Sequence, residues 1–115
     1  MLAKAVVVKA GDRYAMCVLP ASYKLDMEKV AKVVKAPRVR LADEQEMAKL
    51  FADVDVGAQP SFGNLYEMET LVDVHLAADE EIIFQAGTHR QAIGMKYRDY
   101  ASLVGPVVAD LAVHL

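Results

Sequence analysis

Two segments near the start of the chain carry apolar residues on both faces, in the manner of buried β-strands. A β-branched run at positions 6–8 lies within Lys4–Ala10, and apolar residues fill Arg13–Pro20. Gly11 and Asp12 between them have the chemistry of a tight turn. The pattern therefore predicts a β-hairpin that is covered on both sides.

Three later segments have the apolar spacing of helices. Asp26 is predicted to cap a helix that runs to about Lys35 and is stopped by Pro37. Asp43 is predicted to cap a second helix, with Glu46 completing a capping box. Its buried face is expected to hold Met47, Leu50 and Phe51. A third helix is predicted from position 97 to 104, ended by the Gly-Pro pair at 105–106.

The remaining apolar segments are short and read as strands. They lie near residues 39–41, 70–75, 81–86 and 92–95, and the tail 107–113 is compatible with either a strand or a short helix. Strands and helices alternate without a strict βαβ rhythm, and no repeat or linker interrupts them. We therefore predict one compact α/β domain with a mixed sheet over residues 1–115.

Composition limits the classes of protein to which the chain can belong. The 115 residues are 55% apolar and 25% charged, which is typical of a globular domain. No apolar run approaches the roughly 20 residues that a bilayer requires, so no membrane association is expected. The N-terminus lacks a secretory signal pattern and Cys17 has no partner for an internal disulfide, so we expect a cytoplasmic protein.

The distribution of charge supports two interpretations of whether the protein binds nucleic acid. Sixteen acids outnumber thirteen bases, for a net charge of −3, whereas proteins that neutralise phosphates usually have a basic surplus. Five bases nevertheless fall within positions 29–40. This segment is either a local basic face or an ordinary solvated helix surface, and the pattern alone leaves both open.

The segment 57–63, with the sequence Gly-Ala-Gln-Pro-Ser-Phe-Gly, is the strongest candidate for chemistry. Its glycines allow close approach to the main chain, and Pro60 stiffens the loop. Such a loop can hold a carbonyl or carboxylate against N–H groups, although a tight connection needs the same residues. Ser61 lacks a nucleophile-elbow pattern and Cys17 lies in an apolar strand, so neither is predicted to be a nucleophile.

Two further residues stand beside predicted strands. His89 follows Gly87 and Thr88 just after an apolar strand, where its side chain is able to exchange protons near neutral pH. Lys4 lies at the start of the first strand. Each also has a purely structural interpretation: His89 as a turn residue and Lys4 as a lysine at the end of a strand. The three histidines are widely spaced and lack a metal-binding signature, so no metal site is predicted.

The order of these features resembles the YbaK-like aminoacyl-tRNA deacylases, which include the editing domain of bacterial prolyl-tRNA synthetases and free-standing trans-editing proteins. The resemblance rests on Lys4 before a valine run, then the glycine–proline loop, then the Gly-Thr-His segment at 87–89. It extends from about Lys4 to Leu103. It implies a mixed, barrel-like sheet surrounded by helices, and hydrolysis of a mischarged aminoacyl-tRNA at its 3′ CCA end without a metal or other cofactor.

The resemblance also implies roles for individual residues. Lys4, Gly57, Gly63 and His89 correspond to the family's catalytic positions, with Lys4 orienting the substrate and the loop glycines orienting the carbonyl and water. Substrate contacts are expected from the positions Pro60, Ser61, Phe62, Gly87 and Thr88. Partners would be mischarged tRNA and an aminoacyl-tRNA synthetase, with a homodimer as a further expectation from an unpaired sheet edge.

Two departures from the family accompany the resemblance. Relatives usually have some tens of residues before the functional lysine, so the chain is expected to lack that segment. Ser61 replaces a second proline that many relatives have. These departures keep an alternative open, in which the domain binds tRNA or a synthetase without catalysis, and a weaker one, a small-molecule binding domain unrelated to tRNA.

Overall fold

The predicted hairpin lies at the centre of the molecule. In the computed structural model, which describes residues 1–55 and 58–114, strand β1 spans Ala3–Ala10 and pairs antiparallel with β2, Arg13–Pro20. The strand β4, Val39–Leu41, adds to the other edge of β1. β5, Glu69–Asp73, runs parallel to β2, and β8, Val107–Ala109, runs parallel to β5.

Within residues 1–55 and 58–114, four strands lie outside this central sheet. β3, Tyr23–Leu25, pairs with β9, Ala112–His114, and β6, Glu81–Gln85, pairs with β7, Ala92–Lys96. The β6–β7 hairpin reaches β1 through a bridge between Leu2 and Ile83.

The fold is of the predicted α/β class, but the barrel-like closure is wrong. In the described part of the chain, five strands form an open sheet in the order β4-β1-β2-β5-β8, with a separate pair at β3-β9 and another at β6-β7. The edge strands β4 and β8 have only three residues each. They lie at opposite edges of the sheet and are not paired with each other, so the sheet does not close.

The predicted helices are confirmed together with their capping residues. Helix α1 spans Met27–Val34, and the Asp26 carboxylate accepts from two amides of its first turn. Helix α2 spans Glu44–Leu50 and begins with the predicted capping box. Helix α4 spans Tyr97–Val104 and ends at Gly105, whose φ is +62°. None of the described helices is long and apolar enough to cross a membrane.

The strand predicted over 70–75 ends early. Asp73 closes β5, and its carboxylate accepts from the amide of His75 at 3.1 Å, which starts the short helix α3, Val74–Ala77. A 3₁₀ helix, Gly63–Tyr66, was also not predicted. The tail, for which strand and helix were both open, forms the two short strands β8 and β9.

Apolar side chains fill both faces of the central sheet. One face, here called the aromatic core, packs Val7, Met16 and Val72 against Phe84 and Tyr100. The opposite face, the aliphatic core, packs Val8, Cys17 and Leu71 against α1 and Leu111. Residues 15–20 of β2 are buried throughout, as the hairpin prediction required.

Candidate functional site

The glycine–proline loop lies against the turn that follows β6. The Gly87 amide donates to the carbonyl of Ala58 at 2.9 Å, and the Asp55 amide donates to the carbonyl of Gly87 at 2.8 Å. Gly87 has a φ of +92°, a conformation that favours glycine. Two segments that are about thirty residues apart and were predicted to form one site are therefore in direct contact. Gly57, a predicted catalytic residue, lies outside the described residues.

His89 and Thr88 occupy the rim of this junction. His89 is exposed, and its amide lies 3.3 Å from Oδ2 of Asp55, which accepts the hydrogen bond. Thr88 is half-buried, and its hydroxyl oxygen has no hydrogen-bond partner among the described residues. The structure thus places both predicted residues next to the loop, where Asp55 is hydrogen-bonded to the main chain of Gly87 and His89.

The second half of the loop packs into the protein interior. The ring of Phe62 lies 5.1 Å from Phe84 and 5.4 Å from Tyr100, centroid to centroid, and Ser61 is only 1% exposed. The Tyr100 hydroxyl donates to the carbonyl of Ser61. Burial raises the pKa of Tyr100 above its ordinary value, so this hydroxyl remains a donor at neutral pH. Pro60, which precedes Ser61 in this segment, is half-buried.

Gly63 closes the loop, and its amide is already occupied. It donates to Oγ1 of Thr70 at 3.0 Å within the protein interior. A Cβ at this position would lie 2.4 Å from the same oxygen, so the glycine allows a close approach of two main-chain segments. An amide engaged in this way is not available to orient a substrate carbonyl.

The strand segment that contains Lys4 is joined to the loop by a hydrogen bond to the main chain of the next residue, Ala5. Nε2 of Gln59 donates to the carbonyl of Ala5 at 2.8 Å, which holds the loop against β1 beside Lys4. The side chain of Lys4 is half-buried and, by strand alternation, lies on the face opposite Ala5. Residues 1–55 and 58–114 provide no hydrogen-bond acceptor or carboxylate partner for its ammonium group.

A cavity of about 480 Å³ lies between α2 and the loop, and we call it the α2 cavity. The sequence pattern did not predict this cavity or the part that two of its polar residues, Asp55 and Gln59, play in it. Gln59 is only 6% exposed, and its Oε1 has no partner among the described residues. The available sequence signal was a glutamine directly before Pro60 in a loop of otherwise small and apolar residues. The lining is formed by Ala42, Glu44, Met47, Ala48, Phe51, Ala52, Val54, Asp55 and Gln59.

A second cavity, of about 760 Å³, lies between α1, β4 and the end of β1. We call it the basic groove, because its lining holds three cations, Lys9, Arg38 and Arg40, and one carboxylate, Glu28. Glu46 forms a bidentate pair with Arg40, at 2.6 and 3.0 Å, and lies 3.6 Å from Lys9. The hydrogen bonds from Arg40 keep the pKa of Glu46 far below its ordinary value, so its carboxylate stays ionised.

The described residues provide neither a reactive thiol nor a cluster of potential metal ligands. Cys17 is fully buried, and desolvation raises the pKa of its thiol to about 12. This agrees with its prediction as a small buried hydrophobe. Among residues 1–55 and 58–114, no cluster of three or more His, Cys, Asp or Glu side chains could hold a metal ion.

Comparison with known proteins gives a consistent result. A sequence model of the family described as the aminoacyl-tRNA editing domain matches residues 1–103. A structure described as hypothetical protein APE2540 has a TM-score of 0.87 and 22% identity, covering 97% of this chain and 74% of its own. A candidate trans-editing enzyme for prolyl-tRNA synthetase has a TM-score of 0.85 and 23% identity, covering 97% of this chain and 70% of its own. These similarities show a shared fold. No curated protein matched the chain.

Proposed function

The chain belongs to the aminoacyl-tRNA editing domain family, and we propose that it is a deacylase that hydrolyses mischarged aminoacyl-tRNA in trans. The observation that carries this proposal is the junction of three separate segments beside one cavity. The strand of Lys4, the glycine–proline loop and the turn at Gly87 are joined by hydrogen bonds at the α2 cavity.

The chemistry of the substrate suits such a site. An aminoacyl ester is already activated, so orientation of a water molecule and stabilisation of the oxyanion supply much of the rate. The protonated, buried thiol of Cys17 fits a route without a covalent intermediate. In this proposal, the ammonium of Lys4 holds polar groups of the substrate that extend beyond the α2 cavity, because the half-buried Lys4 lies on the strand face opposite Ala5, which packs with the loop and α2.

The main chain of the loop orients the carbonyl and the attacking water. Because the Gly63 amide donates to Thr70, we assign this role to the Gly57 side of the loop. Gly63 then serves to fix the loop's end, and Tyr100 holds its middle through Ser61. His89 and Thr88, at the rim of the junction, are assigned to contacts with the terminal nucleotide.

The basic groove is the proposed contact for the tRNA backbone. Arg38 is exposed at the groove, and Lys32 and Lys35 are exposed along and at the end of α1. None of the three has a carboxylate partner among the described residues, in contrast to Arg40 and Lys9. Phosphates attract such unpaired cations even on a protein with a net negative charge. A synthetase that supplies the mischarged tRNA is a second proposed partner.

The test is a deacylation assay with alanyl-, seryl- and cysteinyl-tRNA, using the wild type, Lys4→Ala and the control Lys24→Ala. Lys24 is also a strand lysine, but it is exposed on β3. We expect the wild type to release the amino acid from at least one substrate. The hydrolysis rate of Lys4→Ala should be lower than that of the wild type by a factor of at least about 100, as expected for loss of a positioned charged group. Lys24→Ala should hydrolyse the substrate at the wild-type rate.

Two outcomes would count against the deacylase. If the wild type binds mischarged tRNA without releasing the amino acid, the non-catalytic adaptor is favoured. If neither binding nor hydrolysis depends on the tRNA, the family activity has been lost and a small-molecule binding role is favoured.

A further inference from the structure

We propose that the α2 cavity binds the α-ammonium group of the aminoacyl moiety, with Oε1 of Gln59 as its hydrogen-bond acceptor. The inference rests on the proposed function and specifies its substrate class: aminoacyl esters that have a free amino group, as distinct from N-acylated or α-hydroxyacyl esters.

Gln59 presents an acceptor that the protein itself leaves unused. Its Nε2 is fixed by the bond to the carbonyl of Ala5 at 2.8 Å, which sets the orientation of the whole side-chain amide. The residue is only 6% exposed, and Oε1 has no partner in the described part of the chain. A buried acceptor without a partner is unfavourable, so a donor in the cavity that displaces the atoms covering Oε1 gains a hydrogen bond at a site already desolvated.

The charges around the cavity indicate which donor this is. Glu44 and Asp55 contribute carboxylates to the lining, and the described lining residues include no Lys, Arg or His. The Asp55 carboxylate is held near the loop by the amide of His89, at 3.3 Å. An ammonium group is attracted to such a cavity, and a phosphate is repelled. The acyl end of the substrate, and not the CCA phosphates, therefore fits here.

The rest of the lining is apolar and suits the amino-acid side chain. Its apolar lining residues are Ala42, Met47, Ala48, Phe51, Ala52 and Val54. The cavity therefore combines one end that favours a cation with an apolar remainder, as an amino acid with an apolar side chain requires.

The experiment compares the hydrolysis of alanyl-tRNA and lactyl-tRNA, in which a hydroxyl replaces the amino group. The ratio of their kcat/KM values, divided by the ratio of their uncatalysed hydrolysis rates because the α-ammonium itself activates an ester, is measured for the wild type, Gln59→Met, Asp55→Asn and the control Gln45→Met. Gln45 is exposed on α2 and does not line the cavity. The ratio is internal to each variant, so a displaced loop that slows both substrates equally leaves it unchanged.

We expect the wild type and Gln45→Met to prefer the alanyl ester by about 10-fold or more, the effect of one charge-assisted hydrogen bond. In Gln59→Met, the ratio should fall towards one, and in Asp55→Asn it should fall by a smaller factor. A ratio near one in the wild type, or an unchanged ratio in Gln59→Met, overturns the inference while leaving the deacylase intact.

Absence of hydrolysis of either ester would instead contradict the proposed function. In that case binding still decides the inference, through an NMR titration with alaninamide and lactamide. Preferential shift of the Gln59 side-chain amide by alaninamide, weakened in Asp55→Asn, supports it. Equal or absent shifts with the two ligands overturn it.

Discussion

The amide of Gly63 donates to the hydroxyl oxygen of Thr70 at 3.0 Å, and no space remains between the two residues for a methyl group. A Cβ on Gly63 would lie 2.4 Å from Oγ1 of Thr70 and 2.9 Å from the carbonyl oxygen of Met68. The end of the glycine–proline loop is therefore fixed to the start of β5 by a contact that only glycine permits.

Gly63→Ala should consequently lower the free energy of unfolding by about 2 kcal/mol or more, the usual cost of overpacking a closed interior. Gly94→Ala is the matched control, because a Cβ there meets its nearest side chain at 3.7 Å. The control should be neutral or slightly stabilising, since alanine restricts the unfolded chain. Urea denaturation measures the free energy of unfolding of both variants. Equal effects at the two positions would contradict the steric role of Gly63.

Tyr100→Phe tests whether the loop must be held in place for activity. The change removes the donor to the Ser61 carbonyl but keeps the ring that packs against Phe62 and Phe84. We expect a loss of about 1 kcal/mol in stability and a fall in kcat of about 10-fold or more through loop misplacement. Tyr97→Phe is the control, since its hydroxyl has no partner among the described residues. A normal kcat in Tyr100→Phe would show that Ser61 needs no fixed position.

Local chemistry explains which parts of the fold could be predicted. The caps at Asp26 and Asp43 and the turn at Gly11 depend on neighbouring residues, so the pattern revealed them. The strands β3 and β9 pair residues about ninety positions apart, and nothing near Tyr23 or His114 indicates this partner. The early end of β5 was readable in principle, because Asp73 is a typical N-cap residue.

The candidate site likewise has parts that the sequence could predict and parts that it could not. The glycine–proline loop and the turn at Gly87 were recognisable from residue types and order, and the structure brings them together. The α2 cavity was not predictable, since it depends on how α2 packs against a loop. The unpaired oxygen of Gln59 becomes visible only when the bond from its nitrogen to Ala5 is known.

Asp73 connects the tail of the chain to the core. Its carboxylate is fully buried and accepts from the Leu111 amide at 2.9 Å as well as from His75. Asp73→Ala should reduce stability by about 3 kcal/mol, because the buried amide of Leu111 and the part-buried amide of His75 both lose their acceptor. Asp110→Ala, which removes an exposed pair with Lys29, should cost less than about 1 kcal/mol. Thermal unfolding distinguishes the two, and a small effect at Asp73 would mean that the tail is held by apolar contacts alone.

Glu46 should contribute to stability in a pH-dependent manner. Hydrogen bonds from Arg40, the Asp43 amide and Tyr14 lower its pKa in the folded protein from the ordinary 4.5. The unfolded state therefore binds more protons on acidification, and the stabilisation present above pH 4.5 declines as the pH falls below it. The difference in Tm between the wild type and Glu46→Gln should be constant from pH 6 to 8 and shrink towards pH 3. A difference that is independent of pH would mean that packing, not charge, accounts for it.

Salt dependence separates the two readings of the basic segment. If the basic groove and the exposed lysines of α1 bind tRNA phosphates, each unpaired cation releases counterions, so removing one reduces the slope of log K against log salt concentration by about one. Lys32→Ala and Arg38→Ala should each show this change with full-length tRNA, while the KM of a short aminoacyl-CCA oligonucleotide stays constant. Arg98→Ala, an exposed cation on α4, is the control and should leave the slope unchanged. Equal slopes in all variants would identify the segment as a solvated helix surface, since cations that contact no phosphate release no counterions on binding.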